Sequence, residues 1–186
     1  MANTEYSDEE LVLEIIKGNE RAFEAIYNRY ATPMYNFFIL KLGSKEKAED
    51  FLQNIFLKLI EKANSFDEHK SFKTWFYTLA HNLCKNEYRA RSRSKVTYEN
   101  IEVNSLVNNW EKGSERIDAS IFSEHLSLAL KNLNENQQTS FILRFKYNLS
   151  IKEISDILGC SEGTTKSRIF YTLKQLANDL KVFNPY

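Results

Sequence analysis

Two helix signals separated by a single glycine occupy the segment from Ser150 to Leu180. Ser150 and Glu153 have the spacing of a capping box, and Gly159 ends a helix of about two turns. Ser161 can cap a longer helix, whose apolar stripe is expected to face a core: Ile169, Leu173, Leu176, Ala177 and Leu180. A short helix, a tight turn and a longer helix predict a helix-turn-helix, which places its second helix in a DNA major groove.

The second of these helices carries a polar and aromatic face away from its apolar stripe. Helix N-terminal amides attract phosphate, and the lysine and arginine side chains on this helix add positive charge. The predicted DNA-contacting residues are Thr164, Lys166, Ser167, Arg168, Phe170, Tyr171 and Lys174. The alternative is a helical hairpin with a solvated polar face.

Helical periodicity also runs from Asp8 to about Arg93, fades between Ser94 and Ala119, and resumes at Ile121. Only five Gly and two Pro occur among the 186 residues, which leaves little turn chemistry for hairpins. The sequence therefore predicts an all-α fold, with two small helical domains (residues 1–94 and 120–186) joined by a linker at residues 95–119. Within the first domain we expect a helix to end at Pro33 or a new one to begin there.

A helix predicted from Ser44 to about Ala63 combines an apolar stripe with an acidic, polar face. The stripe is expected to be buried and consists of Phe51, Leu52, Ile55, Phe56, Leu59 and Ile60. The opposite face carries Glu49, Asp50, Gln53 and Asn54. Such a face can bind a basic partner, or it can be an ordinary solvated helix surface.

The next predicted helix, from about Ser71 to Arg91, interleaves charge with flat rings. Its apolar stripe includes Trp75 and Phe76, for which core packing is the simplest interpretation. A second face carries Lys73, Tyr77, His81, Lys85 and Tyr88, followed by Arg89. Rings that stack on bases and cations that follow the backbone are how proteins hold single-stranded nucleic acid. We expect Tyr77 and Tyr88 to make such contacts, and His81 to lie at the surface without acting as a switch or ligand.

The charge distribution separates the two ends of this first domain. The formal net charge is zero, with 25 basic and 25 acidic residues. Acidic residues nevertheless dominate from Met1 to Glu24, whereas basic residues dominate from Lys85 to Lys95. This change of sign indicates different partners for different parts of the chain.

Several segments of the sequence resemble a known protein family. The segment from Ser161 to Phe170 is similar to the recognition helix of the fourth conserved region of sigma-70 family sigma factors, and the stretches Leu133 to Gln137 and Phe141 to Phe145 fit the same region. The resemblance covers about Asp8 to Arg93 and Ile121 to Leu180, in the family's order. The small size of the chain points to the compact extracytoplasmic-function (ECF) group.

The resemblance implies a set of partners and roles. Lys166, Ser167, Phe170 and Tyr171 would read the −35 promoter element, while Asp50 and Gln53 match a pattern that docks on the β′ clamp helices of core RNA polymerase. The helix after Ser71 and the loop from Asn64 to Lys70 would engage the −10 element and take a non-template base out of the stack, with Asn82 near that strand. Further implied partners are the polymerase β flap and an anti-sigma factor.

Other classes of protein fit the sequence poorly. No glycine-rich phosphate loop, carboxylate pair or nucleophile-histidine pattern indicates an enzyme, and no small-molecule substrate is expected. Cys84 and Cys160 lie far apart, so we expect no metal site and no cofactor. Without an apolar run of about 18 residues, the protein is expected in the cytoplasm, with no insertion into a membrane.

Two alternatives to a sigma factor stay open at the level of sequence. The first is a free-standing helix-turn-helix regulator whose N-terminal domain senses a ligand or dimerises. A palindromic binding site and a stable homodimer would favour it. The second is a protein-interaction module that uses its helical hairpins as docking surfaces. The absence of any DNA crosslink would favour this one.

Overall fold

The computed structural model describes residues 6–94, 122, 125–126 and 128–181. These residues contain helices and no strand, so the predicted all-α class is confirmed. The chain divides into two compact units, Met1–Tyr98 and Glu99–Tyr186. The predicted linker at 95–119 lies outside the described residues, and the domain limits drawn from the sequence stay predictions.

In the first unit the described residues, 6–94, contain four α-helices. They are α1 (Asp8–Ile16), α2 (Glu20–Leu42), α3 (Lys45–Lys62) and α4 (Phe72–Ser94), with a 3₁₀ turn at Ala63–Ser65 after α3. Side-chain caps explain where three of them begin. Ser7 and Glu10 form a capping box at the start of α1, Asn19 caps α2, and Ser44 caps α3.

The expectation that a helix ends or begins at Pro33 is wrong, because Pro33 lies inside α2, a single helix of 23 residues. Proline lacks a backbone N–H and disfavours a helix interior. Burial on both sides of Pro33 offsets that cost, since Tyr30, Met34 and Phe37 all face the core. Tertiary packing therefore overrides the local signal, as it does for most helices in folded proteins.

Aromatic rings from α2, α3 and α4 form the centre of this unit. The Tyr30 ring lies edge-on to Phe72 and Phe76, with centroid distances of 5.2 and 5.5 Å, and Phe56 reaches Phe76 at 5.6 Å. Edge-to-face pairs of this kind add specific geometry to the burial of large apolar surfaces. The core thereby fixes the direction in which α4 leaves the loop that precedes it.

In the second unit, helical residues at 128–131 precede three further α-helices that lie wholly within the described residues. They are α5 (Glu135–Phe141), α6 (Ile151–Leu158) and α7 (Glu162–Asp179), and a π-helical turn at Ile142–Lys146 follows α5. Gly159, with φ of +61°, ends α6 in the left-handed conformation that glycine adopts most readily. Ser150 caps α6 and Ser161 caps α7, as predicted. The short helix, glycine turn and longer helix are those of the predicted helix-turn-helix.

The buried stripe of α7 differs from the predicted one. Leu173 is 41% exposed and Ala177 is also exposed, whereas two threonines join Ile169 and Leu176 in the core. Burying a hydroxyl is costly unless it finds a hydrogen-bond partner. The Thr172 hydroxyl donates to the Arg168 carbonyl at 2.8 Å, which lets this polar residue occupy a core position.

Candidate nucleic-acid interface

The predicted DNA-contacting face of α7 is largely exposed. Phe170 and Tyr171 are 63% and 61% exposed, although large aromatic side chains are usually buried. Four polar members of the predicted set are also exposed: Thr164, Lys166, Ser167 and Lys174. Packing of the opposite face against α5 and α6 turns these side chains outward.

Hydrogen bonds fix the first turns of α7. The Ser161 Oγ accepts from the Thr164 backbone N–H at 3.1 Å, and the two hydroxyls lie 2.9 Å apart. The Ser167 hydroxyl donates to the Gly163 carbonyl at 3.0 Å. This end of the helix therefore presents hydroxyls close to the backbone, together with N-terminal amides that suit phosphate.

Arg168 is the exception within the predicted set. Its side chain is half-buried, and its Nη1 lies 3.6 Å from the Cys160 Sγ in the turn before α7. The Cys160 Sγ also lies 3.3 Å from the Thr165 hydroxyl. Arg168 thus holds the turn against α7 in this conformation, rather than extending away from the helix.

The expectation that α4 exposes Tyr77 and His81 is wrong. Tyr77 is 1% exposed and His81 is 2% exposed. The Tyr77 ring packs edge-on against Phe37 of α2, with centroids 5.5 Å apart, and His81 lies one helical turn further along. Because α4 packs against both α2 and α3, its buried face is wider than one apolar stripe. Neither side chain can stack on a base in this arrangement.

Tyr88, the other ring predicted to contact nucleic acid, is engaged within its own unit. Its hydroxyl donates to the Lys41 carbonyl, and the Lys41 Nζ lies 5.1 Å from the Tyr88 ring centroid. Near this point Glu87 of α4 pairs with Lys47 of α3. These contacts fasten the C-terminal half of α4 to the rest of the unit. Asn82 and Arg89 are exposed along α4, and Lys73 and Lys85 are half-buried.

A short exposed loop leads into α4. Residues 67–71 are all exposed and lie between two buried rings, Phe66 and Phe72, whose centroids are 6.1 Å apart. Within the loop, the Asp67 carboxylate accepts from the His69 backbone N–H at 3.1 Å. This bond, aided by Lys70, holds the pKa of Asp67 below its usual value. Trp75, predicted to pack in the core, is half-buried with its ring 5.3 Å from that of Phe66.

The polar face of α3 is exposed as predicted: Glu49, Asp50, Gln53 and Asn54 all face solvent. The prediction that Ile60 is buried is wrong, since it is 53% exposed, and Leu57 is 57% exposed. Leu57 lies four residues after Gln53, and Ile60 lies three residues after Leu57, so both continue the polar face along the helix. The apolar end of this face was missed by the sequence reasoning, although the spacing of Leu57 from Gln53 was a signal for it.

Neither a metal-binding cluster nor a membrane-spanning helix is present among the described residues. No group of three or more His, Cys, Asp or Glu side chains among them is arranged to hold a metal ion. No helix within the described ranges has the length and apolar character needed to cross a membrane. Cys84 and Cys160 are both free thiols.

Both units match conserved regions of one protein family. Residues 26–94 match the family described as Sigma-70 region 2, and residues 129–178 match Sigma-70, region 4. Together the two matches cover more than half of the chain and follow one another in the family's order. The first includes most of α2 with α3 and α4, and the second includes the helix-turn-helix.

Similar proteins agree with this assignment. An ECF RNA polymerase sigma-E factor of Haemophilus influenzae is 26% identical over 94% of this chain and 96% of its own length. The ECF RNA polymerase sigma factor BldN of Streptomyces coelicolor is 28% identical over 92% of this chain, which spans 66% of BldN.

Solved structures show the same fold. The sigma factor RpoE from Bartonella quintana, solved in complex with the anti-sigma factor NepR, aligns with a TM-score of 0.65 and 26% identity, covering 83% of this chain and 94% of RpoE. CnrH, solved in complex with the cytosolic domain of CnrY, aligns with a TM-score of 0.71 at 18% identity, covering 95% of this chain and 99% of CnrH. Because both regions match and the relatives agree with them, the chain belongs to the sigma-70 family and to the ECF group within it.

Proposed function

We propose that this chain binds core RNA polymerase and directs it to promoters that carry −35 and −10 elements. One observation carries the proposal: each unit that matches a sigma-70 region also exposes a face suited to the role of that region. The first unit exposes a polar and apolar surface on α3, and the second exposes the aromatic and hydroxyl face of α7.

The α3 face is the proposed polymerase-docking surface. Glu49, Asp50, Gln53 and Asn54 offer carboxylates and amides to basic and polar groups on the β′ clamp helices. Leu57 and Ile60 add apolar surface that is exposed in the free chain. Large apolar side chains near the centre of an interface supply much of its affinity, whereas polar groups at its edge mainly supply specificity. The two parts of this face therefore have separable roles.

The exposed face of α7 is the proposed −35 reader. Phe170 and Tyr171 can contact base edges and methyl groups in the major groove, and Thr164 and Ser167 can bond to bases or phosphates. Lys166 and Lys174 supply charge to the DNA backbone. Arg168 is assigned to the turn and contributes through the placement of α7.

The loop at residues 67–71 and the exposed side of α4 are the proposed −10 site. The loop overlaps the predicted segment, Asn64 to Lys70, at residues 67–70, and Lys73, Asn82, Lys85 and Arg89 lie on α4 beyond it. A base taken out of the stack needs a pocket and a polar edge, which a loop beside buried aromatic rings can supply. Tyr77, His81 and Tyr88 support the position of α4 instead of contacting DNA.

Several further properties follow from this proposal. The catalytic centre belongs to the polymerase, so the chain is a non-enzymatic initiation factor that needs no cofactor of its own. It acts in the cytoplasm, where RNA polymerase meets DNA, and contacts the polymerase β flap through its second unit. An anti-sigma protein that covers the α3 face would keep it inactive. That an anti-sigma factor is a partner at all is supported by RpoE of Bartonella quintana, which was solved in complex with one.

In vitro transcription tests the proposal. Core RNA polymerase is incubated with fragmented genomic DNA from the source organism, with and without this chain, and transcript starts are mapped. The proposal predicts starts that depend on the chain and share two spaced upstream elements. Active core enzyme that gains no new starts would refute it and favour a free-standing regulator.

A further inference from the structure

A carboxylate from α1 holds the beginning of α4. The Phe72 backbone N–H donates to the Glu9 Oε1 at 2.8 Å, although the two residues are 63 positions apart. Phe72 is the first residue of α4, where backbone N–H groups lack partners within the helix. The first turn of α4 contains no acidic residue of its own, so Glu9 supplies the negative charge that a helix N-terminus favours.

Glu9 is itself held in place by its neighbours. The adjacent Asp8 accepts from the Arg29 Nη1 at 2.7 Å and from the Tyr30 hydroxyl, which fastens α1 to α2. The capping box of Ser7 and Glu10 fixes the start of α1. Glu9 therefore reaches α4 from a rigid base, because its helix is anchored immediately before and beside it.

The bond from Glu9 lies at the point where the exposed loop meets α4. The loop at residues 67–71 spans only five residues between the anchored rings of Phe66 and Phe72. A loop this short has little slack, so its shape depends on where its two ends are fixed. The aromatic contacts fix both rings. At the second end the backbone is held by Glu9 and by the Ser71 hydroxyl, which accepts from the Thr74 N–H at 3.3 Å.

We propose that Glu9 is a positioning residue for −10 recognition: by accepting from the Phe72 N–H at the start of α4 it sets the conformation of the 67–71 loop that receives the captured base. The inference rests on the proposed function, since it assigns that loop to the −10 element. Glu9 makes no contact with DNA in this scheme. Its effect is specific to the step in which the base is captured and melting begins.

Three substitutions of Glu9 separate the contributions of its side-chain length, its charge and its accepting oxygen. Glu9→Gln keeps the length of the side chain and an oxygen that accepts the Phe72 N–H, so it should retain most of the function. Glu9→Asp keeps the charge but shortens the side chain by one methylene, so it should lose the bond, as should Glu9→Ala. Glu14→Ala is the matched control, because it removes another half-buried α1 carboxylate, which pairs with Lys17 at 2.7 Å, and leaves the bond from Phe72 to Glu9 in place.

The assay measures transcription by core polymerase and each variant from a promoter with its natural −10 element and from one substituted at the captured base. The ratio of the two signals reports base discrimination, and polymerase affinity is measured separately. Loss of the bond from the Phe72 N–H should reduce that ratio about fivefold in Glu9→Ala and Glu9→Asp. Glu14→Ala should keep the ratio of the unsubstituted chain, Glu9→Gln should keep most of it, and both should keep the polymerase affinity.

The outcomes distinguish the inference from the function on which it rests. If the unsubstituted chain supports no initiation, the proposed function has failed. If it initiates and Glu9→Asp keeps full discrimination, the positioning role is overturned. A loss shared with Glu14→Ala would also overturn it, because the cause would then be the charge of α1. Should Glu9→Ala fail to fold, the pair Glu9→Gln and Glu9→Asp decides the question.

Discussion

Replacing Leu57 and Ile60 with alanine should weaken polymerase binding without unfolding the chain. The two side chains are 57% and 53% exposed in the free protein. Full burial of such a side chain contributes about 1.5–3 kcal/mol, so covering the exposed half in a complex is worth about 1 kcal/mol each. One substitution should therefore lower affinity about fivefold, and both together about 30-fold if their effects add.

Fluorescence polarisation of labelled chain titrated with core polymerase measures this affinity. Thermal unfolding provides the stability readout, which should move by no more than about 0.5 kcal/mol because both residues are already exposed. Ile16→Ala is the matched control, since Ile16 is a 39% exposed apolar residue on a different helix, α1. Unchanged affinity in the double variant, or an equal loss in the Ile16 control, would refute the assignment of this surface.

Four further predictions follow from the same structure. Tyr77→Ala should destabilise the first unit by about 3–5 kcal/mol in urea denaturation, because the ring is buried against Phe37; near-native stability with a selective loss of DNA binding would restore the original stacking hypothesis. Phe170→Ala should weaken −35 recognition in a transcription assay while leaving the melting temperature unchanged, and a fall in melting temperature would mean that the ring serves the fold. Gly159→Ala should cost about 1 kcal/mol of stability through its positive φ alone, since nothing lies within 4 Å of the added Cβ; no measurable cost would mean that the turn relaxes. Burial raises the pKa of Tyr30 above its ordinary value of 10.0, and the bond to Asp8 raises it further. The free energy of unfolding should therefore be constant below pH 10 and fall at higher pH, because the tyrosine ionises more readily in the unfolded chain. Tyr30→Phe should make that fall shallower when unfolding is measured as a function of pH.

The helix-turn-helix was predictable because its signals are local. Ser150, Gly159 and Ser161 act within their own turns, so their roles can be read from spacing alone. The exposed face of α3 was also predictable in part, since Asp50 and Gln53 lie opposite an apolar stripe. These features depend on interactions between residues that are close in sequence, so they can be predicted from the sequence alone.

The errors arose where packing between helices decides the outcome. Helix α2 passes through Pro33 because buried side chains hold it on both sides. Tyr77 is buried because two neighbouring helices cover α4, and a helical wheel of α4 alone does not show those neighbours. Thr172 replaces Leu173 in the core because its hydroxyl bonds to the helix that carries it. The hydrogen bond between Glu9 and Phe72 joins residues 63 positions apart, so no local sequence pattern predicts it.

Binding of a labelled promoter duplex tests the central claim most directly. The duplex is titrated with the chain alone, with core polymerase alone, and with both together. A chain of zero net charge that works through polymerase should give tight, element-dependent binding only when both are present. Tight and specific binding by the chain alone, above all as a dimer on a palindromic site, would contradict the account and identify a free-standing regulator.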